Sequence, residues 1–271
     1  MVWRLTTVPD QSAAELAAEA AAQGADLIVV IGGDGTVAEV AAGLMAGSRR
    51  IPLAVVPRGT ANVLALNLGI PRDIDGAIST ALDGTAVPID AGRLNGQLYL
   101  VAAGTGSHAE MVAAADRRWK SKWGVLGYPL AWLRKSRGSL DPVSYTVTMD
   151  GVTHDIEATM IQVMNCGAVF WRGWEFAPGI SPVDGFLDVV VYRATTLAEY
   201  LTAATYLLRG APTETDLVEH WRGKRIQIDA DPGVRVRLQR DGEVAGTSPA
   251  TIGVEPRAVP IVMPRSGPWA G

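Results

Sequence analysis

The run Val29-Val30-Ile31-Gly32-Gly33-Asp34-Gly35-Thr36 sets an apolar, β-branched segment directly against three glycines gathered around one aspartate. It constrains the chain to a strand that stops in a tight turn and opens a helix. Glycine has no side chain, so the backbone approaches a phosphate closely and its N–H groups line a concave anion site. Thr36 and Glu39 have capping-box spacing, which predicts a helix starting at Thr36 with its positive end on the same loop. A carboxylate inside a phosphate-binding loop repels the phosphates unless a divalent cation lies between them. The motif therefore points to phosphoryl transfer. The competing reading is a tight turn with a surface aspartate.

The flanking sequence alternates strand and helix. Val2 to Thr7 has strand character, and Ser12 with Glu15 forms another capping-box pair that opens an Ala-rich helix ended by Gly24. Leu27 to Ile31 is wholly apolar, as expected of a parallel strand covered on both faces. Val37, Val40, Ala41 and Leu44 share one helical face, and Gly47 ends that helix. Ile51 to Val56 is a second apolar strand, leading into Pro57-Arg58-Gly59-Thr60-Ala61-Asn62 and a helix running to about Leu68. Arg58 suits a phosphate or a solvated surface; Thr60 suits a ligand or a helix cap. Two such turns in succession place both helix N-termini at the carboxyl edge of the sheet, where open α/β sheets bind ligands.

From Leu98 onward the pattern becomes β. Leu98 to Ala103, Ser144 to Met149, Asp155 to Asn165, Leu187 to Tyr192, Arg225 to Ile228 and Val234 to Gln239 have strand character, and Asp150-Gly151 and Asp241-Gly242 are hairpin signals. A helix is expected from Thr196 to Leu208. The fold class is thus α/β plus β: a parallel-sheet α/β domain over residues 1–92, an antiparallel β-sandwich over 93–245, and a segment 246–271 returning to the first domain.

Composition excludes several classes. The net charge of −4 argues against a general nucleic-acid binder. Cys166 is the single cysteine, so no internal disulfide forms, and a reducing cytoplasm is the natural expectation. No apolar run reaches the roughly 18 residues of a membrane span, and no signal peptide is evident. The segment Asp116 to Arg137 stands apart. Arg117, Arg118, Lys120, Lys122, Arg134, Lys135 and Arg137 flank an apolar face of Trp119, Trp123, Leu126, Leu130 and Leu133, with Gly127 and Pro129 as breaks. That pattern suits peripheral contact with an anionic membrane, or packing against the β domain. Oligomeric state is left open, a homodimer among the arrangements.

Six elements occur in order: Gly32-Gly33-Asp34-Gly35-Thr36, Pro57-Arg58-Gly59-Thr60-Ala61-Asn62, Ile89-Asp90-Ala91-Gly92, Ala177-Pro178-Gly179, Val183-Asp184-Gly185-Phe186-Leu187-Asp188 and Asp241-Gly242-Glu243. Together they resemble the diacylglycerol kinase catalytic-domain family, over essentially the whole chain. The resemblance implies ATP- and Mg²⁺-dependent phosphorylation of a lipid hydroxyl, most simply that of diacylglycerol, in a cleft between the two domains. It implies that Gly32, Gly33, Asp34, Gly35 and Thr36 hold nucleotide phosphates and Mg²⁺, and that Arg58, Gly59, Thr60 and Asn62 complete the nucleotide site. Asp241 and Glu243 match the acidic pair over the reacting phosphate, with Glu243 the general base. Asp184 matches a second Mg²⁺ position, and Asp90 an acid supporting the active site and its metal. Alternatives are an NAD kinase, which shares Gly-Gly-Asp-Gly-Thr, and a non-catalytic nucleotide- or lipid-binding remnant.

Three departures accompany the resemblance. Met1 enters at what resembles the family's second strand, so the first strand and helix are expected to be missing. Val63 stands where many members carry Asp. Val169-Phe170-Trp171-Arg172-Gly173-Trp174 replaces a glycine-rich stretch.

Overall fold

Ser12 and Glu15 do cap each other. The Ser12 backbone N–H donates to Glu15 Oε2 at 2.9 Å and the Glu15 N–H donates to Ser12 Oγ at 3.2 Å, opening α1 (Ala13–Ala22). The structure, a computed structural model, describes residues 11–106, 141–168, 175–211 and 213–269. The strand expected over Val2 to Thr7, the basic segment 116–137 and the stretch 169–174 lie outside these residues.

Next come β1 (Ile28–Gly32), α2 (Asp34–Met45), β2 (Leu53–Pro57), α3 (Val63–Leu68) and α4 (Ile74–Asp83). β1 and β2 pair in parallel, with Val30 opposite Val55. Two expectations are corrected here. First, α2 begins at Asp34, with extended Gly33 as its N-cap, so Thr36 sits inside the first turn rather than capping it. An acid in the first turn is favoured by the helix dipole, which explains the earlier start. Second, β1 is not covered on both faces. Val30 is buried against α2, but Val29 and Ile31 are 50% and 70% exposed. Their register partners Ala54 and Val56 on β2 are buried on the face where α4 packs, and that cover stops short of β1.

The chain continues through β3 (Thr85–Leu94), β4 (Gln97–Tyr99), β5 (Ala102–Gly106), β6 (Val143–Met149), β7 (Val152–Ala158), β8 (Met160–Met164) and β9 (Leu187–Tyr192). A helix α5 (Leu197–Leu208), capped by Thr196, precedes β10 (Val218–Gly223), β11 (Arg225–Ala230), β12 (Arg237–Arg240), β13 (Glu243–Thr247) and β14 (Ala250–Met263). An 8-stranded sheet runs β1-β2-β14-β11-β6-β7, with β3 paired to β14 and β4 to β3. Among the described residues, β1, β2 and the end of β14 form its parallel part. The 6-stranded sheet β10-β9-β8-β5-β12-β13 is antiparallel throughout. An α/β domain followed by antiparallel β structure is therefore the observed fold class.

Two expected strands divide. Leu98 to Ala103 splits into β4 and β5, because the intervening backbone turns its N–H groups onto Asp241. Asp155 to Asn165 splits at Thr159, whose buried hydroxyl donates to the Ala194 carbonyl at 2.9 Å. Both hairpin signals hold, with Asp150 and Asp241 in the left-handed region ahead of glycine. Strand β9 lies between two cores. Leu187, Val189 and Val191 pack with Tyr145, Ile161 and Ile226, whereas Val190 and Tyr192 join the core of α2, β2 and α3.

Candidate active site

The two glycine turns touch. The Arg58 N–H donates to the Gly32 carbonyl at 2.9 Å, and a Cβ built on Gly59 would lie 2.5 Å from Gly33 Cα. A side chain at Gly59 would force the turns apart, and one at Gly33, its Cβ 3.0 Å from Gly59 Cα, would press on the same contact. Asn62, 7% exposed and with φ of 50°, folds back over its own loop: its Oδ1 accepts from Gly59 N–H at 2.8 Å and its Nδ2 donates to the Gly59 carbonyl at 2.9 Å. Arg58 and Thr60 are exposed at the rim.

Asp34 ties the two units together. Seated in the first turn of α2, it reaches across to the start of α3 and accepts from Val63 N–H at 3.0 Å and Leu64 N–H at 2.9 Å. Asn62 makes no side-chain cap for α3, so the Asp34 carboxylate does that work from another helix. Two helix N-termini thus converge on one carboxylate, where their positive ends also favour an anion.

The β12–β13 hairpin supplies the opposite wall. A Cβ on Gly35 would lie 3.4 Å from Glu243 Oε1, so the exposed Glu243 carboxylate stands over the first turn of α2. Asp241 faces elsewhere. Its oxygens accept from Leu100 N–H at 3.0 Å, Val101 N–H at 2.9 Å and Ala102 N–H at 3.1 Å. Burial pushes its carboxyl up to about 6; the three amides pull against that rise, and the neighbouring Asp34 adds to it. Asp241 therefore positions the hairpin that presents Glu243, rather than lying over a phosphate itself. Burial raises the nearby Cys166 thiol, and Asp241 and Asp34 raise it further.

Asp90 and Asp184 are held apart from this cluster by their own bonds. Asp90 is fully buried; one oxygen accepts from Gly185 N–H at 2.6 Å and the other from Arg257 N–H at 2.7 Å. Its carboxylate clamps the 182–185 loop to β14. Asp184 accepts from Phe186 N–H at 3.0 Å and pairs with the Arg222 guanidinium.

Comparison with known proteins agrees with this architecture. Residues 2–94 match the diacylglycerol kinase catalytic domain, and residues 100–263 match the YegS C-terminal NAD kinase beta sandwich-like domain. The chain is 34% identical over 255 residues to a diacylglycerol kinase of Bacillus subtilis (strain 168), covering 93% of this chain and 82% of that one. It is 30% identical over 262 residues to a diacylglycerol kinase of Mycobacterium tuberculosis, covering 94% and 82%. The chain belongs to the diacylglycerol kinase family. A Synechocystis relative, 34% identical over 249 residues, is longer: this chain spans 56% of it. A solved diacylglycerol kinase from Bacillus anthracis str. Sterne superposes with a TM-score of 0.77 at 27% identity, covering 96% of this chain and 84% of that one.

Membership in the diacylglycerol kinase family implies a nucleotide and commonly a divalent metal. Among the described residues no group of three or more His, Cys, Asp or Glu side chains gathers as a metal cage. The Asp34 carboxylate nevertheless fits Mg²⁺, which keeps several waters and binds through one or two carboxylates plus substrate phosphates. Each Asp34 oxygen accepts a single protein N–H. Asp184 fits less well, because a guanidinium already occupies its outer oxygen.

Several contributors carried no sequence signal. The amides of Leu100 to Ala102 have no side-chain signature. Asn67 ties α3 to the β domain, accepting from Ala168 N–H and donating to the Ala168 carbonyl, each at 2.9 Å. The one signal that points to Arg222 is its place in the basic run Trp221-Arg222-Gly223-Lys224-Arg225, which its sequence neighbours give no reason to connect with Asp184.

Proposed function

We propose that this chain is an ATP- and Mg²⁺-dependent lipid kinase that transfers the γ-phosphate to a lipid hydroxyl, with diacylglycerol as the substrate. The observation that carries the reading is the convergence of two helix N-termini and Asp34 on one side of the cleft with Glu243 on the other. Gly32, Gly33, Gly35, Thr36, Arg58, Gly59, Thr60 and Asn62 hold the nucleotide: the Arg58 guanidinium and the Thr60 hydroxyl face the phosphates from the rim, while the Arg58 and Gly59 N–H groups keep the two turns in shape. Asp34 holds Mg²⁺, which when bound neutralises phosphate charge. Phosphoryl transfer needs positioning and charge neutralisation more than covalent help, and this arrangement supplies both. The lipid hydroxyl oxygen bonds to the γ-phosphorus, the bond to the β–γ bridging oxygen breaks, and Glu243 takes the hydroxyl proton.

Labelled ATP with Mg²⁺ and micellar diacylglycerol tests the reading. Glu243→Gln should lower turnover by about 10²–10⁴-fold, the usual contribution of a general base, with melting behaviour retained. Asp34→Ala should abolish turnover. Near-wild-type rates in either variant would remove that residue from its role. Product formed from NAD instead would select an NAD kinase, in keeping with the name of the matching second domain. An ATP-induced melting shift without product would select a binding protein.

A further inference from the structure

The hairpin that presents Glu243 has a second support besides Asp241. Arg240 pairs with Glu243 across the turn Asp241-Gly242, whose φ values are 47° and 79°. Positive φ at both positions gives the tight turn that matches strand twist. Asp241 holds this turn through the amides of Leu100 to Ala102. Gly242 holds it from beneath: its N–H donates to Gln239 Oε1 at 3.1 Å. Gln239 is 1% exposed, and its Nε2 donates to Gln162 Oε1 at 2.9 Å. Gln162 is buried as well and lies on β8, with β5 between it and β12.

Gly104 opens the path between the two amides. It is the register partner of both Gln162 and Gln239, so the three form one row across β8, β5 and β12. A Cβ on Gly104 would lie 2.5 Å from Gln162 Nε2, and a side chain there would block the bridge. The direction of the bonds is fixed from the hairpin end. The Gly242 N–H requires an oxygen from Gln239, which turns the Gln239 amide nitrogen towards Gln162 and requires an oxygen there in turn. Gln162 Nε2 is then left buried without a partner. Its surroundings are apolar: Val190 is its register partner, and Met160 and Met164 share its face of β8. A methionine would fill this place with no donor to satisfy, whereas the amide costs stability for its unmade bond. Among the described residues, the one hydrogen bond made by the Gln162 side chain runs to Gln239 and so to the turn.

We infer that Gln239 and Gln162 are positioning residues for Glu243. The row through Gly104 sets the Asp241-Gly242 turn so that the Glu243 carboxylate stands over the first turn of α2. The inference rests on the lipid-kinase reading for what Glu243 does there, and on hydrogen bonds alone for what holds it.

Gln239→Met and Gln162→Met keep side-chain length and remove the amides, and two readouts on the full chain test the inference. Hydrogen exchange over residues 240–245, measured without ligand, reports the turn itself. It should quicken by about tenfold in Gln239→Met, and by a smaller factor in Gln162→Met, two strands away. Exchange as slow as wild type in both variants overturns the inference, whether or not the chain turns over lipid. Turnover of micellar diacylglycerol with ATP and Mg²⁺ reports the consequence. In Gln239→Met, kcat should fall by about tenfold with the KM for ATP unchanged, because the phosphate turns are untouched. In a Glu243→Gln background the same substitution should change kcat by less than about twofold, since an absent base cannot be misplaced. Equal losses in both backgrounds would make the glutamines general supports of the fold and overturn the inference. If Gln239→Met fails to fold, Gln162→Met, which leaves the Gly242 bond in place, carries both readouts. Quickened exchange in a chain that shows no turnover would count against the kinase reading and for the glutamine row as the support of the hairpin.

Discussion

Replacing Asp241 by Asn removes the charge of this half-buried side chain. Burial lifts the folded carboxyl from 3.8 to about 6, with Asp34 adding to the rise and the three amides opposing it. A gap of about two pH units corresponds to ~3 kcal/mol, at about 1.36 kcal/mol per unit. The sign follows from proton counting. The folded state holds this proton to higher pH than the unfolded chain, so its advantage is complete below the unfolded value and is lost as pH rises through about 6. Asn is neutral at every pH, but its NH2 group cannot accept, so at least one of the three amide bonds is lost at all pH values alike, at a cost of about 1 kcal/mol or more. Measured against wild type, Asp241→Asn should therefore gain up to ~3 kcal/mol between pH 4 and pH 7. Urea midpoints measured across this range in metal-free buffer give both curves, and their difference removes every other titrating group. Parallel curves would refute the reasoning, whatever their vertical separation. Confirmation would mean that the chain retains at its candidate site a charge that opposes its own folding, as expected where negative charge serves a bound cation.

Two further substitutions probe the same geometry. Gly59→Ala puts a methyl group 2.5 Å from Gly33 Cα and 2.9 Å from Asn62 Oδ1, so the turns must separate; overpacking of this kind costs about 1–3 kcal/mol, and the ATP-induced melting shift should disappear. An unchanged shift would show that the close approach is not needed for nucleotide. At Asp184, Mg²⁺ without nucleotide should give no melting shift that depends on this residue, because Arg222 already serves its outer oxygen. A shift in wild type that Asp184→Asn abolishes would show that the metal displaces the guanidinium.

How much was legible depended on whether the signal was local. The Ser12–Glu15 cap, the Thr196 cap and the Asp150 and Asp241 turns rest on contacts a few residues apart, and each lies where its residue types placed it. Strand β9 was equally plain, because burial on both faces leaves an unbroken apolar run apart from Asp188. Failures came where a distant partner decided the outcome. Leu98 to Ala103 looks continuous until Asp241, about 140 positions away in the chain, claims three of its amides. The apolar character of Leu27 to Ile31 predicted two covered faces, but coverage belongs to the helices packed on a sheet, and α4 lies over β2.

The same distinction explains why the candidate site needed a structure. Gly32 to Thr36 announces an anion site, yet nothing in it shows that Asp34 caps a different helix. That contact makes α3 the mechanical link of the site: Asp34 fixes its first turn, while Asn67 at its far end holds Ala168 of the β domain and, through its carbonyl, the Trp269 indole at 3.1 Å. Here Val63 offers only its backbone N–H, and Asp34 alone meets both helix ends. The cap of α3 therefore rests on a single carboxylate that reaches it from another helix. The charge beside it, on Asp241, is the one whose cost to the fold the pH dependence of Asp241→Asn reads.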